Sequence, residues 1–322
     1  MQRRKFTASL ATLAAAAAFA AGTAHAADPY PSRPIRVIVP YPAGGVVDIQ
    51  TRALTQRLAV ELNQPVVVES RAGASGNIAA EFVARAPADG YTLIVSASFL
   101  INNPMLESNL RWAPKDFVPV GRFALSPSYF LVPATSPAKT VKEFVELAKK
   151  ANPPWQYADG GTGTPQTMSN EVFKRVAGIA LEPVMYKGAP PVIPDLINGM
   201  MSMTISPATV AIPHVKSGKL RALANISSRR SPQLPDVPTI GEAGFPEATA
   251  LSWYGLHAPA GTPPEAMQKL EAAMRAATAT PEVKGSLVNA GGEEAFLGTA
   301  DFTAFMKSDA ERWEKLVKMI KN

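Results

Sequence analysis

The chain contains no cysteine. Disulfides, thiolate metal sites, cysteine nucleophiles and a cysteine-linked lipid anchor are therefore excluded. Histidine is scarce too: of three in 322 residues, only His214 and His257 lie beyond residue 26. There is no His-Glu-x-x-His helix and no Gly-x-Ser-x-Gly elbow, so neither a zinc-hydrolase nor a serine-hydrolase signature is present. Two distant histidines make a poor metal site. Beyond residue 26 no block of like charge occurs, which argues against nucleic acid as a partner. Nor does any later apolar run approach the ~20 residues that span a bilayer. These absences point away from an enzyme and call for no metal or cofactor.

What is present starts at the N-terminus. Arg3, Arg4 and Lys5 precede an uncharged apolar run from Leu10 to Ala21, and Ala24-His25-Ala26 follows. Basic start, apolar middle and small-x-small end are the parts of a secretory signal. We expect residues 1–26 to be a signal peptide and the protein to act unanchored in the periplasm. The Arg3-Arg4-x-Phe6 pattern leaves general secretion and twin-arginine export both open. Cleavage after Ala26 leaves 296 residues and lowers the formal charge from +6 to +3, because only basic residues are removed. That length suits two domains of ordinary size.

Along the chain, Ile35–Val39, 65–69 and 91–95 are short apolar strands separated by helical patterns. The first helix shows Leu54, Leu58 and Leu62 at intervals of four. Strand alternating with helix predicts a parallel sheet covered by helices. The order repeats with strands at 129–132, 155–158, 183–186, 201–205 and 220–226, and a helix over 141–150 capped by Thr140. A further strand is expected at 253–257, then two closing helices. The last of these carries Phe302, Phe305, Trp313, Leu316, Val317 and Ile320 on one face.

Each half has a Gly-rich loop between a strand and a helix: Tyr41 to Asp48 with Gly44-Gly45, and Asp159 to Pro165 with Gly160-Gly161-x-Gly163. Helix first turns leave N–H groups unpaired and carry partial positive charge, and glycine admits a ligand close to the backbone. Such loops either bind an anion or merely turn the chain. Neither fits a phosphate motif: the first lacks the P-loop ending, and Gln166 stands where a dinucleotide fingerprint has its third glycine.

The chain resembles the Bug family, the extracytoplasmic receptors of tripartite tricarboxylate transporters. The matching blocks run from Tyr30-Pro-Ser-Arg-Pro through Gly44-Gly45-x-x-Asp48, Gly76-Asn77-Ile78 and Ala88-Asp-Gly-Tyr-Thr-Leu93. They continue with Tyr186-Lys-Gly188, Asp195-Leu196, Leu234-Pro-Asp-Val-Pro-Thr239 and Trp253-Tyr-Gly-Leu256. The resemblance implies an α/β, two-lobed periplasmic binding protein fold of type II-like form, with the ligand cleft between two α/β domains. The first domain is then discontinuous, 27–126 plus 249–322, with 127–248 as the second. It also implies a monomer that captures a small carboxylate, held by backbone amides of both Gly loops. The implied partner is a permease of that transporter type, or a sensor kinase.

The implied ligand contacts are Tyr41, Ala43, Gly44, Gly45, Val46, Val47 and Asp48 in the first loop. Asp159, Thr162, Gly163, Thr164 and Gln166 follow from the second. From their own positions, Ser98 and Ser206 follow strands and are candidate donors to the ligand, and Asp195 either reaches the cleft or is a solvated or capping residue. Departures from the family pattern are Ala43 for Pro, Val47 for a hydroxyl or amide residue, Asp159 for Ser and Thr167 for His. Asp159 either sits against the ligand or caps its own loop. Hinges are expected near 126–128 and 248–252.

Overall fold

The computed structural model describes residues 29–159, 164–186 and 191–321. The chain divides into two compact units, residues 1–32 and 33–322. Only 29–32 of the first unit are described, so the expected signal peptide lies outside the described residues. The second unit, 33–322, carries all the helices and strands named below.

In chain order the elements are β1 Ile35–Val39, α1 Val46–Glu61, β2 Val66–Ser70, α2 Asn77–Ala84, β3 Thr92–Ser96, α3 Phe99–Leu106 and β4 Phe117–Ser126. Next come β5 Ser128–Pro133, α4 Val141–Lys150, β6 Trp155–Asp159, α5 Pro165–Ala177, β7 Leu181–Met185, α6 Val192–Ile197, β8 Met203–Pro207, α7 Ala208–Lys216 and β9 Leu220–Asn225. β10 Ser252–Pro259, α8 Pro264–Ala279, α9 Pro281–Asn289, β11 Glu293–Leu297 and α10 Thr299–Lys321 complete the fold.

The strands form a six-stranded sheet of order β11-β4-β10-β3-β1-β2 and a five-stranded sheet of order β7-β6-β8-β5-β9. This is a two-lobed α/β fold. The sheets are mixed, not the parallel sheets that alternation of strand and helix predicts. β1 is parallel to β2 and β3, but β10 runs antiparallel to β3 and β4. In the second sheet β6 is parallel to β7 and β8, whereas β5 opposes β8 and β9. The reason is the route of the chain. β1 and β3 run toward the second sheet, while β10 comes back from it and so enters reversed.

Five elements escape sequence patterning, among them α7, which carries Pro213 inside the helix. β4 is broken by Pro119 and Gly121, and α3 carries Pro104 and two asparagines. α9 and β11 follow α8, so the chain does not close with two helices only. In contrast, Thr140 caps α4 as expected, its hydroxyl accepting from Glu143 N at 3.1 Å.

In the second lobe Phe130 meets Phe144 and Phe173 edge-on, each at 5.1 Å. The same continuous core takes in Phe302, Trp313, Leu316 and Val317 of α10. The ring of Phe302 lies on the backbone of β10 at Gly255, where a Cβ would sit 2.5 Å from it. Only glycine allows that approach. The side chain of Ile320 lies outside the described residues.

Candidate functional site

β1 and β3 end at the gap between the sheets, and a cavity of about 440 Å³ opens there. The first lobe contributes Pro40, Tyr41, Pro42, Ala72, Gly73, Ser75, Gly76, Ser98, Phe99 and Asn103; the second contributes Thr164 and Pro165. Crevices beyond the carboxyl ends of strands are where open α/β sheets bind ligands. Three helix N-termini meet this cavity. Gly76 precedes α2, Ser98 precedes α3 and Thr164 precedes α5. No side chain caps α2 or α3, so the first amides of these helices lack a side-chain acceptor.

Sequence patterning does not mark the β2–α2 loop as a site, although a signal exists: Gly73-x-x-Gly76 also stands between a strand and a helix. Four consecutive residues have positive φ: Gly73 at 131°, Ala74 at 45°, Ser75 at 53° and Gly76 at 94°. For Ala74 and Ser75 this left-handed conformation is strained by about 1–2 kcal/mol each. Asn103 holds the loop down. Its Nδ2 donates to Ser75 O at 3.0 Å and to Asn77 Oδ1 at 2.8 Å.

In the β1–α1 loop, two amides serve the loop itself. Gly44 N donates to Asp48 Oδ2 at 3.0 Å and Gly45 N to Pro42 O at 3.2 Å. Arg52 Nε donates to the same Asp48 oxygen at 2.9 Å. These bonds, the arginine's foremost, hold the Asp48 carboxyl below its ordinary value. No side chain caps α1, leaving the first-turn amides of Val46 and Val47 without an intrahelical partner. Tyr41 packs edge-on against Phe99 at 6.5 Å. Burial, with Tyr254 nearby, raises its hydroxyl pKa, so the phenol stays protonated.

On the second lobe, Thr164 caps α5 by accepting from Thr167 N at 3.2 Å. Thr167 Oγ1 donates to Asp159 Oδ1 at 2.6 Å and lies 3.0 Å from Thr164 Oγ1. The two departures at 159 and 167 are thus bonded to each other. Gln166 reaches the crossings between lobes, with Nε2 2.8 Å from Ser128 Oγ and 3.5 Å from Ser252 Oγ. Asp195 accepts from Tyr186 Oη at 2.6 Å. Ser206 is fully buried, and its hydroxyl has no hydrogen-bond partner among the described residues. Thr162 and Gly163 lie outside the described residues. The structure therefore gathers Tyr41, Ser98 and Thr164 around one cavity, and Ala43, Gly44, Gly45, Val46, Val47 and Asp48 are not among its lining residues.

Among the described residues no group of three or more metal-ligating side chains occurs, and no helix is long and apolar enough to cross a membrane. Two lobes around a polar-edged cleft define a solute-binding receptor. Residues 50–321 match the family model described as "Tripartite tricarboxylate transporter family receptor". The chain belongs to this family of receptors and is not an enzyme. It is 35% identical to Protein BugT of Bordetella pertussis, covering 91% of this chain and 90% of the relative. It superposes on the structure of a periplasmic transporter with TM-score 0.78 and 37% identity, covering 91% of this chain and 98% of the other. On R. palustris Rpa4515 with adipate the TM-score is 0.80 at 31% identity, covering 91% and 98%.

Proposed function

We propose that this protein is exported to the periplasm by residues 1–26, captures a small carboxylate in the cleft and delivers it to a permease of the tripartite tricarboxylate type. The observation that carries the carboxylate reading is the convergence of the α2, α3 and α5 N-termini on one cavity. Each helix start carries about half a positive charge. Ser75, Ser98, Asn103 and Thr164 add polar groups to the lining of the same cavity. The adipate complex of the relative supports the same ligand class. Contacts from both lobes favour a closed form, with residues 27–126 and 249–322 moving against 127–248 about the crossings near Ser128 and Ser252.

The test is a thermal-shift screen of the exported chain against amino acids, di- and tricarboxylates and aromatic acids. A ligand at 100 times its dissociation constant adds about 2.7 kcal/mol of stability. A hit that is lost in Thr164→Val or Ser98→Val supports the assignment. A screen in which only neutral or cationic solutes stabilise the protein rejects it.

A further inference from the structure

A second cavity, of about 370 Å³, lies in the first lobe on the other face of α3 from the cleft. Phe99 and Asn103, four residues apart, line the cleft cavity. Leu100, Ile101 and Met105 lie round the opposite side of the same helix and line the second one. Phe117 at the start of β4, His257 of β10 and Met306 of α10 join them. Phe117 is held by an edge-on contact with Trp112 at 5.9 Å. The thioethers of Met105 and Met306 are polarizable and adaptable, and sulfur makes favourable contacts with aromatic rings.

His257 gives this lining its chemistry. The residue is 2% exposed, and its Nδ1 has no hydrogen-bond partner among the described residues. Buried polar groups are nearly always paired, because an unpaired one forfeits its hydration with nothing in return. The fold does not call for a histidine at this place. In β10 the residue sits between Ile94 and Pro119, and Phe302 meets its ring edge-on at 5.3 Å. A purely apolar ring would satisfy that packing. What the imidazole adds is a donor and an acceptor in a lining whose other charged side chain, Lys307, belongs to an exposed residue.

We infer that this cavity is a second ligand site, separate from the cleft, that takes a small single-ring phenol, with the ring among Met105, Phe117 and Met306 and the hydroxyl on the His257 imidazole. A hydroxyl both donates and accepts, so it serves either tautomer of the neutral imidazole. The site needs nothing of the carboxylate reading of the cleft.

The exported chain is labelled with methyl-13C-methionine, and its methyl spectrum is followed by NMR as p-cresol or toluene is added. Met105→Leu and Met306→Leu assign the two reporters. p-Cresol is expected to shift both signals saturably and to bind about fivefold more tightly than toluene, the worth of one hydrogen bond. His257→Phe is expected to erase that preference and leave the two solutes equal.

Saturable shifts confined to other methionines, or no saturable shift at all, overturn the site. Toluene binding as tightly as p-cresol in the unsubstituted protein overturns the phenol assignment, whether or not His257→Phe folds.

Discussion

Gln166 Nε2 donates to Ser128 Oγ at 2.8 Å, so the first turn of α5 is bonded to the first residue of β5, directly after the chain crosses between lobes. Ser252, at the start of the returning β10, lies 3.5 Å from the same nitrogen. One amide side chain therefore touches both crossings. Gln166→Leu should remove about 1 kcal/mol of stability, the net worth of a part-buried hydrogen bond. It should also change ligand affinity without Gln166 lining the cavity. Urea unfolding and calorimetric titration read the two effects separately; an unchanged affinity would place the bond in stability alone.

The strained β2–α2 loop makes a second prediction. Gly76 has φ 94°, and a Cβ there would sit 2.9 Å from the Phe99 ring. Gly76→Ala should drive that ring from its place in the cavity wall, lowering stability by about 1–3 kcal/mol and weakening the ligand. Ser75→Gly should do the reverse for stability, relieving about 1 kcal/mol of left-handed strain. Paired thermal melts of the two variants check both signs.

Asp309 is a buried carboxylate at the junction of α10 and β10. Its Oδ2 accepts from Trp253 Nε1 at 3.0 Å and Trp313 Nε1 at 3.2 Å, and its Oδ1 from Arg312 Nη2 at 2.7 Å. Arg312 Nη1 in turn donates to Thr249 O at 2.7 Å, on the segment leading back to β10. Asp309→Ala leaves two buried indoles without their acceptor and leaves the part-exposed Arg312 guanidinium with Thr249 O. A loss of about 3–5 kcal/mol is expected in urea unfolding.

His257 lies buried in β10, packed edge-on to Phe302 at 5.3 Å. Desolvation pushes its pKa down to about 3 from 6.5. The unfolded chain takes up a proton near pH 6.5 that the folded chain refuses. Stability from this residue is therefore whole above pH 6.5 and falls as the pH drops toward 3, by up to about 5 kcal/mol. His257→Gln should unfold with a shallower pH dependence between those limits. Parallel slopes for the two proteins would show that another group governs acid sensitivity.

Local parts of the fold are legible in the amino-acid order. Ile35–Val39 is apolar and bounded by Pro40, so it forms β1, and Thr140 caps α4 because hydroxyl and helix start are neighbours in the chain. The family blocks likewise carry the two-lobed fold. β4 and β11 are illegible, because Pro119, Gly121 and Glu293-Glu294 break any alternation; the pairing of β4 with β10 and of β11 with β4 holds them as strands. The sense of β10 is equally hidden, since it depends on where the chain returns from and not on composition.

At the site, Tyr41, Ser98 and Thr164 are expected from the chain, but their meeting at one cavity needs three helix starts from both lobes to converge. The bond between Asp159 and Thr167 and the reach of Gln166 to Ser128 and Ser252 span 8, 38 and 86 residues. Residue identity sets which groups can donate and accept. Which partner is near enough is a property of the packed elements, because hydrogen bonds act over about 3 Å: the first two bonds need α5 packed on the second sheet, and the third needs β10 of the first sheet as well.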